Sequence, residues 1–164
     1  MVKLSIHDII LHLKKGDSMD EMWDVVDKIG RPLNDVDYCQ FAESICGKIS
    51  SVNSSVQMAF ISLLHLVDET DPGRSTPYLN KLMYFDFESE VKSHLYWTLE
   101  AAGNDSSIES LLYAAENELD KVNATQAFNY ARYFMNHCSL DFNQKESYLI
   151  RMVKLREVKP ELRF

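Results

Sequence analysis

The side chains of this sequence that could do chemistry include five histidines and three cysteines. A metal site would need several such groups to converge at helical or turn spacing. His7 and His12 stand five residues apart, which places them on diverging faces of a helix, and His137 diverges from the cysteine beside it. His65 and His94 each stand alone in apolar surroundings, which favours a place in the core or at a groove edge. The sequence therefore predicts no metal site.

The carboxylates offer no clearer chemistry. Asp20 with Asp24, and Asp24 with Asp27, have one-turn spacing and could hold a cation. Such pairs more often form a solvated helix face, and acidic groups in a first turn interact favourably with the helix dipole. The acidic run at residues 68–71 lacks the glycine turn and distal glutamate of a calcium-binding hand. Since hydrolase, zinc-protease, phosphate-loop and dinucleotide motifs are also missing, we expect a protein that is not an enzyme and uses no cofactor.

The formal net charge of −8 is unevenly placed. Residues 1–144 carry 22 acidic and 11 basic side chains, whereas residues 145–164 carry six basic and three acidic ones. An acidic body repels phosphate, which argues against nucleic acid as a ligand, and it speeds the encounter with a basic protein. The alternative is that a moderate negative charge only keeps a small protein soluble.

Cysteine usage and the N-terminus indicate the compartment. An odd number of cysteines without a CxxC pair favours a reducing compartment. Cys39 and Cys46, seven residues apart, are expected to be buried on one helix face. The first residues are interrupted by His7, Asp8 and His12, unlike a signal peptide, and no apolar run reaches membrane-spanning length. We expect a cytoplasmic protein that binds no membrane.

Candidate helix starts recur at a constant spacing. They follow Ser18, Asn53, Glu88 and Asn123, each 35 positions after the last, and three of the four are favoured N-cap types. Glycine and proline punctuation then predicts an all-α chain of about nine helices near residues 6–15, 18–30, 35–49, 54–67, 77 onwards, 89–102, 107–119, 124–138 and 142–155. Capping boxes are predicted at residues 18–21 and 106–109. We expect one domain over residues 1–164, with a polar tail from about residue 157.

One segment carries a family resemblance through an acidic turn at residues 86–90 and a set of six further positions: Val91, Lys92, Leu95, Leu99, Gly103 and Asp105. The segment resembles a HEAT-type repeat in the short form found in phycobilisome-lyase-like proteins. Moving back by one period finds Val56, Phe60 and Leu64, and moving forward finds Gln126, Tyr130 and Phe134. The resemblance implies an α-α superhelix of stacked hairpins. A plain irregular helical bundle is the alternative.

The resemblance also implies a binding groove. The helices that follow residues 18, 53, 88 and 123 would form an inner row, and their exposed faces would bind a partner. Trp97 and Tyr96 are the expected anchors of this groove, because tryptophan and tyrosine are common at binding hot spots. The candidate partner-binding residues are Trp23, Asp24, Asp27, His65, Tyr96, Trp97, Glu100, Arg132 and Tyr133, with Gln57 and Lys92 beside them.

These features lead to a functional expectation. We expect a non-enzymatic protein-binding module whose acidic groove captures a basic protein. As a class, small acidic helical chains of this kind resemble bacterial immunity proteins, which neutralise a cognate and often cationic nuclease toxin. The alternative is a scaffold or assembly factor with a chaperone-like or chromophore-lyase-like role. A helical DNA glycosylase fits poorly, since such an enzyme needs a basic groove.

Overall fold

The computed structural model describes residues 5–13, 19–29, 33–67 and 72–162. Within these ranges the chain forms nine α-helices and no strand, which confirms the all-α class and the predicted number of helices. The helices are α1 (Ile6–Leu13), α2 (Met19–Ile29), α3 (Asp35–Lys48), α4 (Ser54–Leu66), α5 (Thr76–Leu82), α6 (Ser89–Ala102), α7 (Ser107–Asn117), α8 (Lys121–His137) and α9 (Phe142–Val158). Short 3-10 turns follow α3 and precede α5, at Ile49–Ser51 and Pro72–Arg74.

The predicted helix starts agree with the structure for α4 and α6 but not for α8. Asn53 caps α4 by accepting a hydrogen bond from the Val56 N–H at 3.0 Å, and α6 follows Glu88. The start predicted after Asn123 is wrong, because Asp120 caps α8 by accepting from the N–H groups of residues 122 and 123. Asn123 is instead buried, and its amide donates to the Ser89 carbonyl at 2.9 Å. Ser18 lies outside the described residues.

The capping box predicted at Ser106 and Glu109 is also wrong. The Ser106 side chain makes no capping hydrogen bond, and Glu109 accepts from Arg151 of α9 at 2.6 Å. The Glu109 carboxylate therefore pairs with the distant Arg151 and not with the backbone at the start of α7. A complete capping box occurs at α9, between Asp141 and Gln144. The box predicted at residues 18–21 begins outside the described residues.

The helices contact one another in two rows. Successive odd-numbered helices from α1 to α7 touch, and so do successive even-numbered helices from α2 to α8. Hydrogen bonds advance together along the even-numbered helices, which are therefore parallel neighbours: Ser54–Glu88, Ser62–His94, Ser89–Asn123, Ser93–Gln126 and Glu100–Tyr130. Stacked helical hairpins require this arrangement. The regular rotation that a superhelix would add stays a prediction.

One side of α6 is apolar and packs into the core. Val91, Leu95 and Leu99 are all buried. Gly103 ends the helix as predicted, and its N–H donates to the Leu99 carbonyl at 2.7 Å. A Cβ atom at this position would lie 2.6 Å from Cζ of Phe134, so the residue allows α6 and α8 to approach closely.

The two cysteines expected to share a buried face differ. Cys46 is buried, and burial raises the pKa of its thiol, whereas Cys39 is exposed. The prediction is therefore wrong for Cys39, because residues on one helix face need not be covered along its whole length.

The segment predicted as a polar tail is partly helical and docked on the body. The last helix continues to Val158, and Leu162 is fully buried. Arg156 donates to the Leu162 carbonyl at 2.9 Å. Lys159 donates to the carbonyls of Ala115 and Glu118 at 2.8 and 2.7 Å, which satisfies acceptors at the end of α7. Among the helices described, none combines the length and apolar character that crossing a bilayer requires.

Candidate partner-binding surface

Trp97 is the centre of the accessible side of α6. Its side chain is 60% exposed, because Val91, Leu95 and Leu99 occupy the opposite, core-facing side of the helix. Glu90 and Glu100 are exposed on the same side, seven residues before and three residues after Trp97. The prediction that Trp97 is at least partly exposed is confirmed. We call the accessible sides of α4, α6 and α8 the inner surface, marked by Met58, His94, Trp97, Tyr130 and Tyr133.

On the α8 side of Trp97, hydrogen bonds fix the polar groups of the inner surface. Tyr130 donates its hydroxyl to Oε2 of Glu100 at 2.8 Å, and burial together with this carboxylate raises the pKa of Tyr130. Tyr133 is 47% exposed and stacks on the ring of His137 with centroids 4.2 Å apart. The Glu100 carboxylate is thereby held in place, and its remaining lone pairs face solvent as acceptors for a cation.

On the α4 side, a cavity of about 200 Å³ lies beside His94. It is lined by Leu13, Met22, Ser55, Met58, Ala59, Ser62 and His94. The His94 ring approaches the Trp97 ring, with centroids 5.9 Å apart, and its Nε2 lies 2.8 Å from Oγ of Ser62. Burial lowers the pKa of His94, which favours the neutral ring. The inner surface therefore continues from Trp97 into an apolar recess.

The Ser62–His94 pair resembles a nucleophile and its base, but its setting argues against that chemistry. Acyl transfer needs free N–H donors near the serine to stabilise the oxyanion. Ser62 lies in the middle of α4, whose backbone N–H groups are used in the helix. The geometry instead supports a structural bond between α4 and α6.

Tyr96, the second predicted anchor, is only 2% exposed, so its assignment to the surface is wrong. One residue turns the helix by about 100°, which directs Tyr96 away from Trp97 and towards α7. Its hydroxyl donates to Oε2 of Glu118 at 3.4 Å, and Lys92 pairs with the same carboxylate at 3.2 Å. Burial and Glu118 both raise the pKa of Tyr96. Lys92 and Tyr96 therefore belong to an internal network.

The acidic candidates come from two helices. Glu100 lies on the side of α6 that carries Trp97, whereas Asp24 and Asp27 are exposed on α2, on the side away from Met22. That these three carboxylates together surround one contact stays a prediction. The side chain of Trp23 lies outside the described part of the structure.

The remaining candidates lie on the flanking inner-row helices. His65 is partly buried on α4, and Arg132 is partly buried on α8, next to the exposed Tyr133. Gln57 donates to the Ile49 carbonyl at 3.0 Å, so its amide is used in joining α4 to the preceding turn.

Sequence reasoning missed Glu90 and Tyr130 as parts of the inner surface. The spacing from Glu90 to Trp97 is two helical turns and could have identified the first. Tyr130 stands at the repeat position one period after the buried Leu95, and its tertiary contact with Glu100 is what places its hydroxyl at the surface.

Within residues 5–13, 19–29, 33–67 and 72–162, no group of three or more His, Cys, Asp or Glu side chains could hold a metal ion. In comparisons with known proteins, no family model, no curated protein and no solved structure matches this chain.

Proposed function

We propose that this chain is a protein-binding module that captures a basic protein on its inner surface, in the manner of an inhibitor or immunity protein acting on a cationic toxin. The exposed Trp97 between Glu90 and Glu100 carries this proposal. Tryptophan is the largest apolar side chain, and covering it on binding contributes about 25 cal/mol for each Å² of apolar area removed from water. A partner gains this contribution most fully when Trp97 lies near the centre of the contact.

The groups beside Trp97 select the charge of the partner. A guanidinium or ammonium group placed over the indole ring gains a cation–π interaction of about 0.5–2 kcal/mol. The Glu100 carboxylate, held by Tyr130 at 2.8 Å, can accept a hydrogen bond from the same cation. An arginine surrounded by apolar residues on the partner would therefore match Trp97, Glu100 and the nearby recess.

The charge of the body acts over a longer range. Residues 1–144 carry twice as many acidic as basic side chains, which speeds the approach of a cationic partner and makes association sensitive to salt. The same charge disfavours nucleic acid as a ligand. The odd number of cysteines supports a place in the cytoplasm. A scaffold or assembly factor is the alternative role, and it differs from an inhibitor in leaving the activity of its partner intact.

The test begins with affinity capture from the native host and identification of the bound protein by mass spectrometry. Calorimetry would then compare the wild type with Trp97→Ala. We expect Trp97→Ala to weaken binding by about 30-fold or more, which corresponds to about 2 kcal/mol. Its thermal stability should change little, because the ring is largely exposed.

Tyr84→Ala is the matched control, since Tyr84 is 54% exposed and pairs with Tyr113 away from the inner surface. The proposal predicts normal binding by this variant. An acidic partner, an unchanged dissociation constant for Trp97→Ala, or tight binding of duplex nucleic acid at physiological salt would contradict the proposal. Retained activity of the captured partner at saturation would favour the scaffold role.

A further inference from the structure

A second concave site lies between the turn that follows α5, the start of α6 and the end of α7. Its cavity has a volume of about 210 Å³. Since cavities for drug-sized ligands measure about 300–1,000 Å³, this one has room for a small chemical group only. We call the site the tyrosine cleft, after a lining that includes four aromatic and two acidic residues: Tyr84, Phe85, Tyr96, Tyr113, Asp86 and Glu118.

The aromatic rings of the tyrosine cleft are held in place by one another. Tyr84 is 54% exposed and Tyr113 is 38% exposed, and their ring centroids lie 4.6 Å apart with the planes tilted by 44°. Phe85 stacks on the buried Phe87, with centroids 5.6 Å apart. The face of an aromatic ring carries partial negative charge and attracts cations. Rings that are already ordered lose little conformational freedom when a ligand covers them.

The charged side chains that line the tyrosine cleft sum to one negative charge. Lys92 pairs with Glu118 at 3.2 Å, and these two charges balance. Asp86 is exposed, and no hydrogen bond or ion pair uses its carboxylate in the part of the chain that the structure describes. The electrostatic interaction with Asp86 therefore favours a ligand with a single positive charge.

Glu118 has no acceptor position left for a ligand. Its Oε1 accepts from the backbone N–H groups of residues 119 and 120, at 2.9 and 3.1 Å. Its Oε2 accepts from the Tyr96 hydroxyl at 3.4 Å and pairs with Lys92. Because a carboxylate offers about four acceptor positions, Asp86 is the one of the two lining carboxylates that can still accept. A primary ammonium group brings three N–H donors that need acceptors once covered, whereas a quaternary ammonium group brings none.

We propose that the tyrosine cleft binds a small quaternary ammonium group, with its methyl groups against the rings of Tyr84 and Tyr113 and its charge beside Asp86. Aromatic sites of this kind recognise quaternary ammonium groups through cation–π attraction. The group can belong to a free small molecule or to a trimethylated lysine side chain, and the test distinguishes these two sources. The proposal does not depend on the proposed function, because Tyr84 and Tyr113 lie away from the inner surface.

The test is an NMR titration of the isotope-labelled wild type, followed at the backbone amides of residues 84–86 and 113–118. Choline should give saturable shifts at these residues. Methylammonium, with three N–H donors, and dimethylbutanol, the analogue of choline in which carbon replaces the charged nitrogen, should each bind about fivefold more weakly or worse. Tighter binding of a short trimethyllysine peptide than of choline would identify a protein source, and the reverse order would identify a small molecule.

Variants then locate the bound group. Tyr84→Ala and Asp86→Asn should each weaken choline binding by about fivefold or more, whereas Tyr84→Phe should retain it, because the ring face and not the hydroxyl makes the contact. Trp97→Ala is the matched control, since Trp97 is 60% exposed but lies on the inner surface, and this variant should bind choline like the wild type.

Three results would overturn the proposal. They are the absence of saturable shifts with choline at millimolar concentrations, equal binding of choline and dimethylbutanol, and unchanged choline binding by Tyr84→Ala. The comparison of ligands uses the wild type alone, so it is decisive whatever the stability of the variants.

Discussion

Gly103 offers the sharpest test of the packing between α6 and α8, through the change Gly103→Ala. Its φ of −80° and ψ of 166° suit any residue, so alanine brings no backbone strain. The added Cβ would lie 2.6 Å from Cζ of Phe134 and 2.5 Å from the Leu99 carbonyl oxygen. Since carbon atoms pack best at about 3.5–4.0 Å, the chain must shift by roughly 1 Å. Phe134 is buried, so its ring cannot simply move into solvent.

The magnitude follows from three contributions. Overpacking of this kind costs about 1–3 kcal/mol. The shift also weakens the hydrogen bond from Gly103 to Leu99, which contributes about 1 kcal/mol. Alanine has less conformational freedom than glycine in the unfolded chain, which offsets about 0.4–1 kcal/mol of the loss in stability. We therefore expect Gly103→Ala to lower the free energy of unfolding by about 1–3 kcal/mol.

Urea denaturation followed by far-UV circular dichroism would measure this change. Gly47→Ala is a matched control, since Gly47 lies within α3 and a Cβ there has nothing within 4 Å. This control should gain about 0.5–1 kcal/mol, because alanine favours a helix over glycine. Combining Gly103→Ala with Phe134→Leu should cost less than the sum of the two single changes. If Gly103→Ala proved as stable as the wild type, the close approach of α6 and α8 would be wrong.

Two further predictions concern a helix end and a titrating group. Lys159→Met should lower the free energy of unfolding by about 1–3 kcal/mol in urea denaturation, because the ammonium group bonds two carbonyls at the end of α7, whereas the exposed Lys121→Met should have little effect. Burial lowers the pKa of His94 below 6.5, so its contribution to stability is complete above that pH and is lost as the pH falls towards the lowered folded-state pKa. His94→Gln should therefore flatten the decline in unfolding free energy between about pH 7 and pH 5, and equal slopes in the wild type and His94→Gln would contradict this assignment.

Much of the helical layout could be predicted from local sequence. The structure gives α6 the predicted bounds of 89–102, because Gly103 ends it and a stripe of Val91, Leu95 and Leu99 marks its buried side. Local periodicity and glycine punctuation were sufficient there. The exposure of Trp97 followed from the same stripe.

The errors occur where a distant residue decides the outcome. Both Asp120 and Asn123 suit a helix N-cap. Asp120 is the cap of α8, because the Asn123 side chain is used in a contact with Ser89 of α6. Glu109 does not cap α7 as predicted, because its carboxylate accepts a hydrogen bond from Arg151, which lies 42 residues later in the chain. Contacts between helices, which local patterns do not encode, therefore set these details.

The neighbouring aromatic residues Tyr96 and Trp97 differ in burial, since Tyr96 lies inside the fold and Trp97 is exposed. Tyr96 is buried, and its hydroxyl gives Glu118 a donor inside the network that joins α6 to the end of α7. Glu118 also accepts from Lys92 and from the backbone N–H of Leu119. These contacts within the fold explain why position 96 holds an aromatic residue that carries a hydroxyl group.

Trp97 has no such explanation from the fold. Its ring is 60% exposed, and its described aromatic contact is with His94 at 5.9 Å. A polar residue on this side of α6 would serve the helix as well, because tryptophan has only moderate helix propensity and adds apolar area to the solvent side. The exposed tryptophan, with Glu90 and Glu100 on the same side of α6, therefore supports the proposed binding role more than a role in stabilising the fold. For that reason Trp97→Ala should separate binding from stability, whereas Tyr96→Ala should disturb both.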